Sequence, residues 1–387
     1  MWHHNFWRLM ASSLLVSLSV TMLIPVMPAW MLYVCGLSSA ETGLAMGIFA
    51  LGLFLPGCFC SWLVQRYRRN QVCVWSMLLL AAAVAAPAFL GRVSLPVVLA
   101  LRLVQGGAFG LSLMVLTSTL VIDASDSSHR TEANYSVTWF SRFALSLGPL
   151  AALLVTTLPI FFLAAACSVL AAVLILLVHF PFRTPSDHVS LFSRDRFLLV
   201  ESWPLMLNQL PVMVAVGMLF TLPLDAPFYA LLMVGFLLAL LAQRFVFPDA
   251  ELKSEAVTAL LLIAAGILAL LNSPLSTLHS PLSTLHSPLS SLHSPLISPL
   301  IGLGLGLLGS RFLLFFIKLS HHCQRGTAQS TFLLMWECGL ALGLGLGYFA
   351  FADSPSRLLV VALVLVVLSL AAYVLFVHRW FEQHRMR

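Results

Sequence analysis

The sequence predicts an all-α membrane protein with 12 transmembrane helices in two pseudo-symmetric six-helix halves. Three observations carry this: charges too sparse for a water-facing skin, an even series of apolar runs, and short motifs recurring at corresponding positions. Of 387 residues, 60% are hydrophobic and 9% charged, and the mean hydropathy is +0.99. A soluble domain carries about 25% charge, so lipid must replace the missing polar surface. The net charge of +6 arises from basic residues dispersed in short clusters between apolar runs, which is a topological signature and not a nucleic-acid footprint.

About 20 apolar residues cross a bilayer. The first run, Leu9 to Leu32, is too long for the core of a secretory signal and reads as the first span. Helices are predicted near 9–33, 42–64, 71–91, 95–122, 134–156 and 158–180, then, after the more polar stretch His179 to Arg196, near 199–222, 227–247, 255–271, 299–318, 327–351 and 357–378. The halves fall at 1–182 and 199–387, joined by a cytoplasmic linker at 183–198. One side of the membrane receives 15 of the 20 Lys and Arg residues and the other only Arg92 and Arg357. The basic side is cytoplasmic by the positive-inside rule, which places both termini there.

Internal repetition supports the two halves. Leu63-Val64-Gln65-Arg66-Tyr67 closes the second helix of the first half, and Leu241-Ala242-Gln243-Arg244-Phe245 closes its counterpart. Arg130-Thr131-Glu132-Ala133-Asn134 opens helix five, and Arg325-Gly326-Thr327-Ala328-Gln329 opens helix eleven. A different repeat, Ser-Pro-Leu-Ser-Thr-Leu-His and its variants, occupies the loop at 272–298. A proline in every period forbids a coiled coil, so an irregular or polyproline-like loop is expected, with His279, His286 and His293 as expansion residues rather than metal ligands. The seven cysteines lack paired metal spacing and read as small apolar residues. The glycines of helices ten and eleven lie inside apolar runs with no strand before them, so they serve close packing and not phosphate binding. His321 and His322 read as solvated loop residues. No cofactor or metal site is expected.

The loop Ser61-Trp62-Leu63-Val64-Gln65-Arg66-Tyr67-Arg68-Arg69 resembles the Gly-x-Leu-x-Asp-Arg-Tyr-Gly-Arg signature of the major facilitator superfamily. Leu63, Arg66, Tyr67 and Arg69 fit, while Gln65 stands where that family usually has Asp. Arg102-Leu103-Val104-Gln105-Gly106 is similar to its Arg-x-x-Gln-Gly motif without substitution. Gly148-Pro149 is similar to the core of its antiporter motif, with Ala152 and Leu153 replacing a terminal glycine pair. The resemblance is strongest to bacterial drug and sugar efflux permeases. It implies a monomeric secondary transporter of the bacterial inner membrane, exporting a small organic solute in exchange for protons, and not an enzyme. An importer or facilitator of a sugar-like solute is the alternative on the same fold, and a non-transporting receptor or scaffold the alternative of another class.

Charge within the membrane marks candidate sites, because each such residue costs at least about 2.5 kcal/mol at the bilayer centre. Arg102 and Gln105 share a helix face and are expected to point into a central cavity. Arg142 and Glu337 each lie 12 residues after the arginine that opens their repeat, which makes them pseudo-symmetry mates of opposite sign. Glu337 is the only clearly intramembrane carboxylate in this reading, and either couples transport to protons or forms a permanent pair that locks helices. Arg311 either acts in the pathway or snorkels to the cytoplasmic side. Asn208, Gln209, Gln329, Trp336 and Trp139 are cavity candidates, with helix packing as the equal alternative. Gln65, Arg66, Tyr67, Arg69, Asp123 and Arg130 form a candidate cytoplasmic gate, against the reading of Asp123, Asp126 and Glu132 as a solvated charge run.

Overall fold

The computed structural model describes residues 4–125, 130–155, 157–178, 190–247, 251–273 and 295–386. Residues 183–189 of the linker, the Ser-Pro-Leu repeat with its three histidines, and Asp126 lie outside these residues. The described helices are α1 (His4–Cys35), α2 (Ser39–Phe54 and Gly57–Arg66), α3 (Arg69–Phe89), α4 (Leu95–Asp123), α5 (Arg130–Leu154) and α6 (Thr157–Leu176). They continue as α7 (Val200–Leu219), α8 (Ala226–Phe245), α9 (Leu252–Leu271), α10 (Ile297–Leu319), α11 (Arg325–Ala350) and α12 (Pro355–His384). Among the described residues 11 helices are long and apolar enough to cross a membrane singly; the twelfth span is α2, two helices bent by 44°.

Local chemistry explains the start and the bend of α2. Ser38 caps it by accepting from the Glu41 amide at 3.3 Å, while Glu41 accepts from the Ser38 amide at 2.8 Å. Pro56 then interrupts the run, since it has no amide hydrogen and its ring displaces the carbonyl one turn back.

The two sixes pack by one scheme. In the first half α1 packs on α5 and α6, α2 on α4, and α3 on α4 and α6; in the second, α7 packs on α11 and α12, α8 on α10, and α9 on α10 and α12. The scheme repeats down to the glycines. A Cβ on Gly52 of α2 would stand 3.0 Å from the Gly106 Cα of α4, and one on Gly235 of α8 would stand 2.8 Å from the Gly302 Cα of α10. Only glycine lets helices approach so closely in a membrane.

Across the halves, α2 packs on α11 and α5 on α8. The halves touch near both ends of the seam. At the face opposite the termini, Gly43 lies against Gly345 and Phe349; at the terminus face, a Cβ on Gly326 would sit 2.6 Å from the Ser118 carbonyl oxygen of α4.

A short segment before α7 stitches the halves at the terminus face. The Ser193 amide donates to the Cys58 carbonyl of α2 at 3.0 Å, and the Arg196 and Leu199 amides donate to the Thr327 and Thr331 hydroxyls of α11 at 2.9 and 2.8 Å. Phe197 seats its ring against Gly57, just past the α2 bend. Arg196 adopts φ 61°, the one non-glycine residue in the left-handed region among the described residues.

Candidate functional site

Two helix faces, one from each half, meet at the centre of the seam. Asn134, Thr138, Ser141, Arg142 and Leu145 of α5, and Gln329, Phe332, Leu333, Trp336 and Glu337 of α11, recur at three- and four-residue steps, so each set forms one stripe. Thr21, Ser141, Arg142, Leu145, Phe332, Leu333, Trp336 and Glu337 line a cavity between them. About 10 Å³ of it can hold the centre of a water molecule, room for a single water.

Hydrogen bonds fix the walls. Thr21 of α1 donates to the Ala144 carbonyl at 2.8 Å, and the Ser17 and Ser141 hydroxyls meet at 2.7 Å. Toward the terminus face, the Gln329 amide donates to the Asn134 carbonyl at 3.2 Å and the Thr138 hydroxyl at 3.1 Å, which forms a polar floor joining α11 to α5. Toward the other face, Ser146 donates to the Tyr229 carbonyl of α8 at 2.6 Å.

Arg142, 3% exposed, is the cation of the cavity. Its Nη1 donates to the Ser310 hydroxyl of α10 at 3.1 Å, and its guanidinium lies 5.1, 5.4 and 5.6 Å from the Trp139, Phe332 and Trp336 rings. Gly309 makes room for it, since a Cβ there would stand 2.6 Å from Arg142 Cζ. The Nε and Nη2 atoms are buried without a partner among the described residues. Glu337 faces the same cavity, and among the described residues neither an ion pair nor a hydrogen bond holds its carboxylate. A guanidinium on one half and a carboxylate on the other thus share a cavity without pairing, so the expectation of a permanently locked pair does not describe this conformation.

Other residues singled out in the sequence lie elsewhere. Arg102 and Gln105 do share a face, but it turns into the first half and not to the cavity. Arg102 Nη1 donates to Gln105 Oε1 at 2.8 Å and its guanidinium covers the Phe49 ring of α2, while Gln105 donates to the Ala83 carbonyl of α3. Asn208 joins α7 to α12 by donating to the Ser369 carbonyl at 2.8 Å, and Gln209 joins α7 to α11 by donating to the Phe332 carbonyl at 3.1 Å. Helix packing is the part both play here.

Arg311 does not snorkel. It pairs with Glu255 of α9, whose side chain is fully buried, so Glu337 is not the one intramembrane carboxylate. Glu255 also accepts from Gln243 of α8 at 2.9 Å, and Tyr135 of α5 donates to Gln243. The sequence reading missed Glu255 because it stood at the first residue of the predicted helix, where charge is ordinary. The helix begins earlier, at Leu252, and its partner comes from a different helix.

In the gate region Asp123 pairs with Arg69, both side chains about one-fifth exposed, so Asp123 is not part of a solvated run. Gln65 donates to Ser61 within α2 at 2.9 Å, Tyr67 packs edge-on against Trp62 at 6.1 Å, Arg66 ends α2, and Arg130 opens α5 half-buried. The two closed pairs occupy corresponding places with reversed polarity. The cation is on α3 and the anion on α4 in the first half, while the anion is on α9 and the cation on α10 in the second.

Two six-helix halves packed face to face in a multi-pass bundle have the architecture of a membrane transporter. The family model of the Major Facilitator Superfamily matches residues 9–321, and the chain belongs to that superfamily. No curated protein matches the sequence. Among solved structures, the nucleoside transporter NupG is similar at 12% identity over 96% of this chain and 99% of its own, TM-score 0.63. The human organic anion transporter MFSD10 (TETRAN) is similar at 16% identity over 93% and 98%, TM-score 0.62. A bacterial homolog of the human lysosomal transporter Spinster, in an inward-facing unoccupied conformation, is similar at 16% identity over 99% and 98%, TM-score 0.66. These likenesses share the fold, and nothing supports the receptor or scaffold alternative.

Proposed function

We propose that this secondary transporter moves a small organic solute by alternating access and couples the movement to protons through Glu337. The observation that carries this is the unpaired Glu337 carboxylate facing Arg142 across the seam: when the halves 1–182 and 199–387 rock, their separation changes, and with it the free energy of holding a proton. The protein acts as a monomer in the bacterial inner membrane, its arginine-rich terminus face cytoplasmic. Export in exchange for protons is the direction that the Gly148-Pro149 motif favours. Uptake is the second reading, favoured by Ala152 and Leu153 where the export motif carries glycines.

Uptake into inverted vesicles under an imposed pH gradient, across a panel of solutes, tests both. An acidic interior that drives solute inward supports export; the opposite gradient dependence supports uptake. In Glu337→Gln the pH dependence of transport disappears, and its retention overturns the coupling role.

A further inference from the structure

We infer that the cavity takes a solute bearing a carboxylate on a flat apolar body, held by the Nε–Nη2 edge of Arg142. A guanidinium presents its donors in a planar fork, and the Nε–Nη2 edge can engage a carboxylate through two parallel hydrogen bonds. Ser310 occupies Nη1, and Nε and Nη2 are left without partners. Burial alone does not produce that pattern. Arg102 is as deeply buried, yet its Nε and Nη1 are engaged by the Ala45 carbonyl and Gln105. A buried charged donor without an acceptor is costly, so a ligand acceptor at this edge satisfies donors that the protein itself does not engage.

The surroundings define the rest of the solute. Phe332, Trp336 and Trp139 set ring faces about the guanidinium, and Leu145 and Leu333 complete an apolar wall. Once α5 and α11 part far enough to admit it, a planar hydrocarbon or ring suits such walls, whereas a polyhydroxylated body finds few partners. The ligand would bridge the halves, its charge on α5 and its body against α11.

Arg142 and Glu337 are the two ionisable groups lining the cavity, and Tyr135, two turns toward the terminus face, is committed to Gln243. An ionised Glu337 competes with the solute anion for Arg142 and repels it, so the anion binds with Glu337 protonated. Binding therefore strengthens as pH falls. Solute and proton then move together, so an inward proton gradient drives this solute inward, the second direction considered above.

The inference rests on the transport reading, and the test separates the two. Purified full-length protein is titrated with benzoate, benzamide and benzylamine across a pH series, with tryptophan fluorescence and thermal shift as readouts, and the same probes are followed across proteoliposome membranes. Benzoate is expected to bind, benzamide at least about tenfold more weakly, and benzylamine not at all. Arg142→Lys, which keeps the charge without the fork, weakens benzoate about tenfold, and Arg142→Gln abolishes its binding while the thermal transition remains cooperative. Glu337→Gln still binds benzoate, with the pH dependence gone. Preferential binding of benzylamine, equal binding of all three, or no binding overturns the inference. If benzylamine or benzamide crosses faster with the protein than in protein-free liposomes and benzoate does not, transport stands and the carboxylate site falls. If benzoate binds but no probe crosses, the site stands and transport falls.

Discussion

Glu255 with Arg311, and Glu337 with Arg142, are built from the same two side-chain chemistries inside the same bundle, yet one pair is closed and the other open. Glu255 and Arg311 sit on α9 and α10, which pack together within one half; Arg142 and Glu337 sit on α5 and α11, in different halves. The difference teaches how a rocking transporter can allot its buried charges. A pair within one half keeps its geometry when the halves move and serves as an anchor, as Arg69 with Asp123 does in the first half. A pair divided between halves changes its separation with each cycle.

Substitutions can break that contrast. The largest effect is expected from Glu255→Ala, which leaves Arg311 facing a buried void and costs about 3–5 kcal/mol, seen as loss of monodisperse protein in detergent. The double change Glu255→Leu, Arg311→Met recovers most of that yield; a neutral single substitution would show that the pair is no anchor. Gly309→Val pushes the Arg142 guanidinium off its seat and is expected to reduce solute binding more than tenfold, read by isothermal titration; unchanged affinity removes Gly309 from the site. Glu337→Gln, by contrast, should alter stability by no more than about 1 kcal/mol, because no partner is lost. A loss comparable to Glu255→Ala would mean that Glu337 is also an anchor. The smallest effect belongs to Tyr135→Phe, which removes the hydrogen bond from α5 to Gln243 at a cost of about 1 kcal/mol. The thermal transition should fall modestly, and no change would show that this contact adds nothing to the packing of α5 on α8.

The helices were legible because lipid imposes a length and a composition that sequence records directly. The run 95–122 became Leu95–Asp123, while the division of α2 at Pro56 and the earlier starts of α1 and α9 were not legible. Arg142 and Glu337 stood out because charge within an apolar run is conspicuous at any position. What those charges face was not legible. Ser310 lies 168 residues from Arg142, Glu255 lies 56 from Arg311, and no periodicity within one helix says which neighbour it meets. Arg102 and Gln105 show the same limit: their shared face followed from spacing, but whether it turned to the cavity or to α2 depended on the orientation of the whole helix.

The segment before α7 has a mechanical consequence. For α4 and α11 to part at the terminus face, the stitches to Cys58, Thr327 and Thr331 must be rearranged, each worth about 1 kcal/mol. Arg196, held between them at φ 61°, stores about 1–2 kcal/mol that is released when its backbone relaxes. The connection is thus a tether fastened to both halves rather than a slack leash. Any parting of α2 and α11 at this face must break those hydrogen bonds, and it frees Arg196 to leave its strained conformation.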